Sequence, residues 1–302
     1  MLWGPQTLGA VSMTDLSWPE IPARDDVAEF RTFHRGDRMM AALREIGVEV
    51  AGKRVVDLGA GYGSCAIAAA SAGAASVLAV DIHQDRLDVI AARADERGVE
   101  VELKRINLLH PATLSGDADV VFLVGVVEYA GLWDTDTPVS ALQERVFTTA
   151  YRSLREGGQL VFGSKNRLWP RYVVKDANTG QPLVNVLPRG WADRLSLRIS
   201  GEPYRHHIHS PAGWMKLMHK AGFGPVQCFC PFLSYQFPLK IVRRPTVRHV
   251  REIRRSLRNP EESKVAWGRL GTARAGLMVA SSTVGLPVAH SVVAVATKRD
   301  RY

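Results

Sequence analysis

The residues Asp57-Leu-Gly-Ala-Gly-Tyr-Gly63 put a carboxylate directly ahead of three glycines spaced G-x-G-x-G. A glycine loop between a strand and a helix lets a ligand come close to the backbone at a helix N-terminus. Alone, it is weak evidence, since a tight strand-to-helix turn that binds nothing would look the same. Its details discriminate. A dinucleotide loop reads G-x-G-x-x-G, and a phosphate loop closes on Lys-Ser or Lys-Thr; neither pattern is present here. Asp57 would repel a pyrophosphate, but it suits a ligand that carries a sulfonium and an ammonium group. Asp81 ends the run Leu78-Ala-Val-Asp81. It falls roughly 20 residues past the loop, where a carboxylate can accept from both hydroxyls of a ribose. Its plainer alternative is a helix N-cap.

Three further groups carry chemistry. Glu128 stands just past an apolar run, where it could take a proton from an acceptor or merely fix the following loop. In Arg205-His-His-Ile-His209, the three histidines His206, His207 and His209 are bases suited to neutral pH, or else solvated or packed loop residues. No acid at matching spacing accompanies them, so no metal site is expected. Between Lys240 and Arg258 stand eight cations against Glu252 alone. Arg244, Arg248, Arg251, Arg255 and Arg258 share one helical face, and Val247, Val250, Ile253 and Leu257 another. That face is either solvated or presented to a membrane surface, a diphosphate-bearing lipid-linked sugar or RNA.

The elements that must position these groups alternate. A helix is expected over Asp25–Ile46, then strand Arg54–Leu58, helix Cys65–Ala72, strand Ser76–Val80, helix Gln84–Arg97 and strand Val99–Leu103. The run Asp119–Val127 is apolar enough to be buried on both faces. Helix Pro138–Leu154 follows with Thr137 as N-cap, stops at Gly157-Gly158, and gives way to strand Gln159–Phe162. Ser210-Pro211 opens another helix, and strands lie near Val226–Cys230 and Val292–Thr297. Strict alternation implies right-handed crossovers and a parallel sheet. Residues 165–209 and 232–291 break the alternation and read as insertions, the first a lid or substrate segment, the second on the acceptor side.

At 302 residues, one domain over residues 25–302 with a loose tail over residues 1–24 is the expected organisation. No secretory signal is legible at the N-terminus, and Gly276–Ala296 is too interrupted by Ser, Pro and His to span a bilayer. Three cysteines, with Cys228 and Cys230 alternating around Phe229, fit a reducing cytoplasm. The net charge of +9 speaks to anionic partners, including peripheral contact with an anionic membrane; nucleic acid is the less favoured partner.

Asp57-Leu-Gly-Ala-Gly-Tyr-Gly63, Asp81 and Leu154-Arg-Glu-Gly-Gly158 resemble the successive motifs of class I S-adenosylmethionine-dependent methyltransferases. The resemblance implies a doubly wound, Rossmann-like α/β fold with a mostly parallel seven-stranded sheet and an antiparallel last strand. It implies S-adenosylmethionine as cofactor, held by Asp57, Gly59, Ala60, Gly61, Gly63, Asp81, Ile82, Asn107, Leu108 and Val124. Asn107 stands where many relatives have Asp, and its amide oxygen can still accept from an adenine amine. More narrowly, Gly125-Val-Val-Glu-Tyr-Ala130, Gly163-Ser-Lys-Asn-Arg167 and Pro231–Pro238 resemble bacterial methyltransferases of sugar and cell-surface glycan pathways. Those relatives read Glu-Asn-Arg where this chain has Lys165-Asn166-Arg167, which puts a catalytic role for position 165 in doubt. The implied reaction is O-methylation of a sugar hydroxyl on a glycan, lipid-linked glycan or glycosylated metabolite. RNA methylation and N- or O-methylation of a small natural product are the alternatives.

Overall fold

The computed structural model describes residues 26–110, 114–256, 258 and 289–299, without the side chains of residues 26–32, Val173 and Leu233. The tail over residues 1–24, Leu257 of the arginine segment and residues 276–288 of the late apolar stretch lie outside the described residues.

In chain order the elements are α1 (Asp26–Arg44), β1 (Arg54–Leu58), α2 (Ser64–Ser71), β2 (Ser76–Asp81), α3 (Gln84–Arg97), β3 (Glu102–Arg105) and β4 (Ala118–Val124). A 3-10 helix (Val127–Leu132) precedes α4 (Val139–Ser153), β5 (Leu154–Lys165), α5 (Arg171–Val174), α6 (Arg189–Ser200) and α7 (Pro211–Lys220). The chain ends with β6 (Val226–Leu233), β7 (Pro238–Val242), α8 (Val247–Ser256) and β8 (Ser291–Thr297). The strands form one eight-stranded sheet in the order β3-β2-β1-β4-β5-β8-β6-β7. Neighbours from β3 to β5 pair parallel, and β8 runs antiparallel to both β5 and β6. The strand order reverses between β1 and β4, the crevice where ligands bind in doubly wound sheets.

Alternating side chains of β4 explain why it is apolar throughout. Val120, Phe122 and Val124 join the core under α1, α2 and α3, whereas Val121 and Leu123 join the core under α4 and α7. Both faces are covered, so no polar position is left on the strand. Gly36 sets the fit of α1 on α2: a β-carbon there would collide with the Ser64 carbonyl oxygen.

Several boundaries differ from expectation. The sheet has eight strands rather than seven, because β7 pairs antiparallel with β6 at the edge. Thr137 is not the N-cap of α4; that position is Pro138, and Asp134 takes the Thr137 hydroxyl and amide instead. Gly157-Gly158 lies inside β5, where the β4–β5 register shifts, rather than in a loop. β3 begins later than expected, and β4 stops at Val124 because Gly125 turns the chain. The segment over residues 165–209, read as irregular, contains α5 and α6 with a small core of Val184, Ala192 and Tyr204. Ser210 does cap α7, its hydroxyl accepting from the Gly213 amide at 3.2 Å.

Candidate active site

Every residue of interest lies at the carboxyl ends of the parallel strands, in two halves. The first is the glycine loop between β1 and α2. Gly59 and Ala60 donate to the Val80 carbonyl at 2.7 and 2.9 Å, Gly63 donates to Ala60 at 2.9 Å, and Gly61 donates to Asp81 Oδ2 at 2.8 Å. The loop amides are therefore spent inside the protein. A pyrophosphate needs free N–H groups and would find these four engaged. What the loop presents is carboxylate and open space. Gly61 has φ of 58°, and a β-carbon added there would meet nothing within 4 Å.

Asp57 is buried at the end of β1, and its Oδ2 accepts from the Ala66 amide in the first turn of α2 at 3.0 Å. Burial pushes its carboxyl up to about 7, with the Asp81 charge adding to the rise and the Ala66 bond and Arg35 opposing it. A half-ionised carboxylate in this position is stabilised by an incoming cation. Asp81 is also buried; besides Gly61, it accepts from the His83 amide at 3.1 Å, and Arg86 stands 3.9 Å away. It is not the cap of α3, whose N-cap is His83. Arg105 donates to the Ile82 carbonyl at 3.0 Å and steadies the segment after β2. Asn107 Oδ1 accepts from the Leu109 amide at 2.9 Å, so one lone pair of that oxygen is committed within the chain. Thr149 of α4 donates to the Leu108 carbonyl at 2.9 Å.

The second half surrounds Glu128, which follows Val124 on the 3-10 helix and is wholly buried. Its Oε2 accepts from Ser164 at 3.0 Å; its Oε1 accepts from the Lys165 ammonium at 3.3 Å and from the Tyr235 hydroxyl at 3.4 Å. Lys165 also donates to Asn178 Oδ1 at 2.7 Å and sits 5.3 Å from the Tyr129 ring centroid. Burial pulls the Lys165 ammonium down, but Glu128 and the neighbouring tyrosines outweigh it and leave its pKa above the ordinary lysine value. Lys165 and Glu128 thus form a buried ion pair.

The three histidines part company. His209 Nε2 meets Gln143 Oε1 at 2.8 Å, and its ring packs 4.7 Å from Trp214. His207 Nε2 donates to the Tyr204 carbonyl at 2.9 Å. Burial, reinforced by the Arg189 charge, drops both to about 3. His206 alone faces the cluster, edge-on to Tyr129 at 5.7 Å, and its Nδ1 is buried without a hydrogen-bond partner. Burial, more than any neighbouring charge, lowers its pKa and keeps the ring neutral. Asn178 Nδ2 beside it also lacks a partner.

Sequence reasoning missed Arg35, Tyr235 and Asn178. Arg35 on α1 lowers the Asp57 carboxyl through its charge, and its Nε is buried without a hydrogen-bond partner. The only sequence signal for it was the neighbouring Gly36, whose lack of a side chain lets α1 approach. Tyr235 reaches the site from the turn after β6 and fills the space beside Gly125 and Gly163. Its only signal was the run Pro231–Pro238 that contains it. A depression of about 630 Å³ lined by Tyr151, Arg152, Lys220 and Lys298 lies at the opposite, amino end of the strands and holds none of these residues. Among the described residues, no group of three or more His, Cys, Asp or Glu could hold a metal ion, and all three cysteines are unbridged.

A doubly wound sheet with an antiparallel strand beside β5, acids at the ends of β1 and β2, and a glycine loop between them defines the methyltransferase class of fold. A model of the methyltransferase domain matches residues 55–158. The ubiquinone biosynthesis O-methyltransferase of Azotobacter vinelandii is 29% identical over 170 residues, covering 56% of this chain and 68% of that enzyme. That of Aromatoleum aromaticum is 27% identical over 183 residues, covering 60% and 73%. Phosphoethanolamine N-methyltransferase 2 of Haemonchus contortus, solved with S-adenosyl-L-methionine, aligns at TM-score 0.51 and 17% identity over 91% of this chain, which spans 58% of that structure. The cyclase SpnF aligns at TM-score 0.51 and 16% identity over 88% of this chain and 82% of that one. These structural likenesses speak to the fold. Residues 55–158 thus carry a methyltransferase domain, on a fold shared with a methyltransferase solved with S-adenosyl-L-methionine. Among the described residues, no helix is long and apolar enough to cross a membrane.

Proposed function

We propose that the chain methylates a hydroxyl of a small acceptor bound between the sheet end and the cap formed by residues 165–209. The observation that carries this reading is the difference among the four candidate bases. Glu128, His207 and His209 are committed to other groups, whereas the His206 Nδ1 has no partner and its ring is neutral. S-adenosylmethionine supplies an electrophilic methyl group on sulfur, and an oxygen acceptor must lose a proton as it attacks. In this assignment His206 takes that proton on Nδ1, and the Glu128–Lys165 pair with Tyr129 and Asn178 positions the acceptor.

On the cofactor side, Asp57 and Arg35 fit the ammonium and carboxylate of the methionine moiety. Asp81 takes the ribose, and Ile82, Asn107 and Leu108 border the adenine. The spent loop amides favour this ligand over a dinucleotide, and Gly59, Ala60, Gly61, Gly63 and Val124 shape its floor.

The acceptor we favour is a sugar hydroxyl, on the motifs Gly125–Ala130, Gly163–Arg167 and Pro231–Pro238. A second reading, an acceptor of the kind used in ubiquinone biosynthesis, is favoured by the names of the relatives. The α8 segment, within residues 232–291, serves the acceptor side by attracting an anionic substrate or the anionic surface that carries it. Incubation with the cofactor and a panel of sugar, quinol and RNA acceptors, read by S-adenosylhomocysteine release, tests the assignment. Turnover on sugars supports it, turnover on quinols alone selects the second reading, and turnover on RNA alone overturns both.

A further inference from the structure

Exposed apolar side chains are not spread evenly over this molecule. Of the ten large hydrophobic residues that the described chain leaves exposed, seven belong to the cap: Leu168, Val174, Leu183, Val186, Trp191, Leu197 and Ile199. Val174 is 74% exposed and Trp191 64%, values that no packing among the described residues relieves. Large apolar surface concentrated in this way marks a contact with something else.

The cap is also firmly built, so these side chains are not outside for want of structure. Asp176 accepts from Thr179 and from Asn185 at 2.6 Å, Tyr204 donates to Asn185 at 2.9 Å, and Arg167 donates to the Leu187 carbonyl at 2.9 Å. Helix α6 turns Ala192 and Ser196 inward. Arg194 and Arg198 fall on the opposite stripe, with Trp191 and Leu197 at its two edges. A tryptophan and aliphatics among arginines is the composition of a helix that lies in a lipid–water interface. Within residues 167–205 the exposed charges are Arg171, Lys175, Arg194 and Arg198 against Glu202, which complements an anionic headgroup layer.

We propose that the cap docks on an anionic lipid bilayer, with Trp191, Leu197 and Val174 entering the interface and Arg194 and Arg198 meeting headgroup phosphates. The cap roofs the acceptor cluster, since Asn178 and His206 both contribute to it. Docking there brings the roof of the acceptor cluster to the membrane surface, where an acceptor with a lipid portion resides. The proposal rests on different residues from those of α8 and does not need the acceptor assignment to be right.

The test uses the full chain with phosphatidylcholine vesicles, with and without phosphatidylglycerol. The parent is expected to cosediment with the anionic vesicles and to show a blue shift of tryptophan emission. Trp191→Ser with Leu197→Ser should lower partitioning about tenfold or more while cofactor affinity holds. Trp191→Phe should keep partitioning and lose most of the blue shift. Replacing Arg251, Arg254 and Arg255 of α8 with Gln should leave the blue shift in place. Absence of vesicle binding by the parent, parent-like binding by the serine variant, or loss confined to the α8 variant would overturn the proposal. So would concentration-dependent self-association that the serine substitutions abolish without any vesicle binding, because the cap would then cover a second copy of the chain.

Discussion

The two halves of the site are built by different means. The cofactor half is local: Asp57, the three glycines, Ala66 and Asp81 lie within 25 consecutive residues, and their bonds are mostly backbone amides meeting carboxylates or carbonyls. The acceptor half is assembled from afar. Glu128 meets Lys165 across 37 positions and Tyr235 across 107, and Lys165 meets Asn178 of the cap. Local backbone geometry can hold one ligand shape with little help from side chains. A network of side chains can be rewritten one residue at a time, which suits the acceptor role proposed for it.

The largest effect should come from His206. Substitution to Ala or Gln is expected to lower turnover by ~10²–10⁴ with cofactor affinity intact, because only a proton transfer is lost. The same change at His207 or His209 should lower the melting temperature instead, since those rings hold Tyr204 and Gln143. Equal rate losses for all three, tracking loss of fold, would break the distinction.

Next in size is Lys165→Met. It leaves Glu128 buried without its ion-pair partner, and denaturant unfolding should show a loss of about 3–5 kcal/mol. Lys165→Met combined with Glu128→Gln should recover much of that loss, because neither charge then remains unpaired. A single substitution that unfolds no more easily than the parent would mean the pair is not a structural unit.

Asp57 sharpens the comparison through pH. Its carboxyl is raised to about 7, so below that pH a proton must leave before the cationic ligand binds. Cofactor affinity should be flat above pH 7 and fall by up to roughly tenfold per unit below it. The stability linkage runs the other way. A carboxyl whose folded pKa is raised binds its proton more tightly when folded, so its contribution declines as pH rises from the ordinary 3.8 to about 7. Asp57→Asn should therefore stabilise the ligand-free protein at pH 8 and much less at pH 5, while weakening the cofactor. Calorimetry and thermal melts across pH check both signs.

The smallest effect concerns α8 and Arg244, which was expected on its face but lies in the bend before it; Arg248 is held by Glu252 at 2.8 Å, and Arg244, Arg251 and Arg255 are exposed. Replacing the four with Gln should lower acceptor efficiency or anionic-vesicle binding a few-fold at low salt, and the loss should shrink as salt rises. Unchanged behaviour at low salt would reduce the helix to a solvated face.

This division also explains what could be read from the sequence. Strand and helix order, the loop and the acid after β2 follow from period, capping and spacing, which act over a few residues. Ser210 capped α7 as its neighbours dictate, and Gln84–Arg97 matched its helix end to end. β7 escaped notice because Pro238–Val242 pairs with a strand five or more residues back and has no alternation of its own. The eighth strand followed from that. Lys165 looked like a departure from a motif, yet its partner Glu128 was already in view; only the sheet, by setting β5 beside β4, puts the two in contact. Tyr235 and Asn178 arrive from a turn and a cap whose positions no local rule supplies.

Isothermal titration of S-adenosylmethionine into the parent, Asp81→Ala and His206→Ala tests the central division most directly. Asp81 is expected to hold the ribose, so its loss should weaken binding by roughly 1.5–3 kcal/mol, the worth of hydrogen bonds to a charged group. His206→Ala should bind as the parent does. Parent-like affinity for Asp81→Ala, or a comparable loss for His206→Ala, would contradict the account.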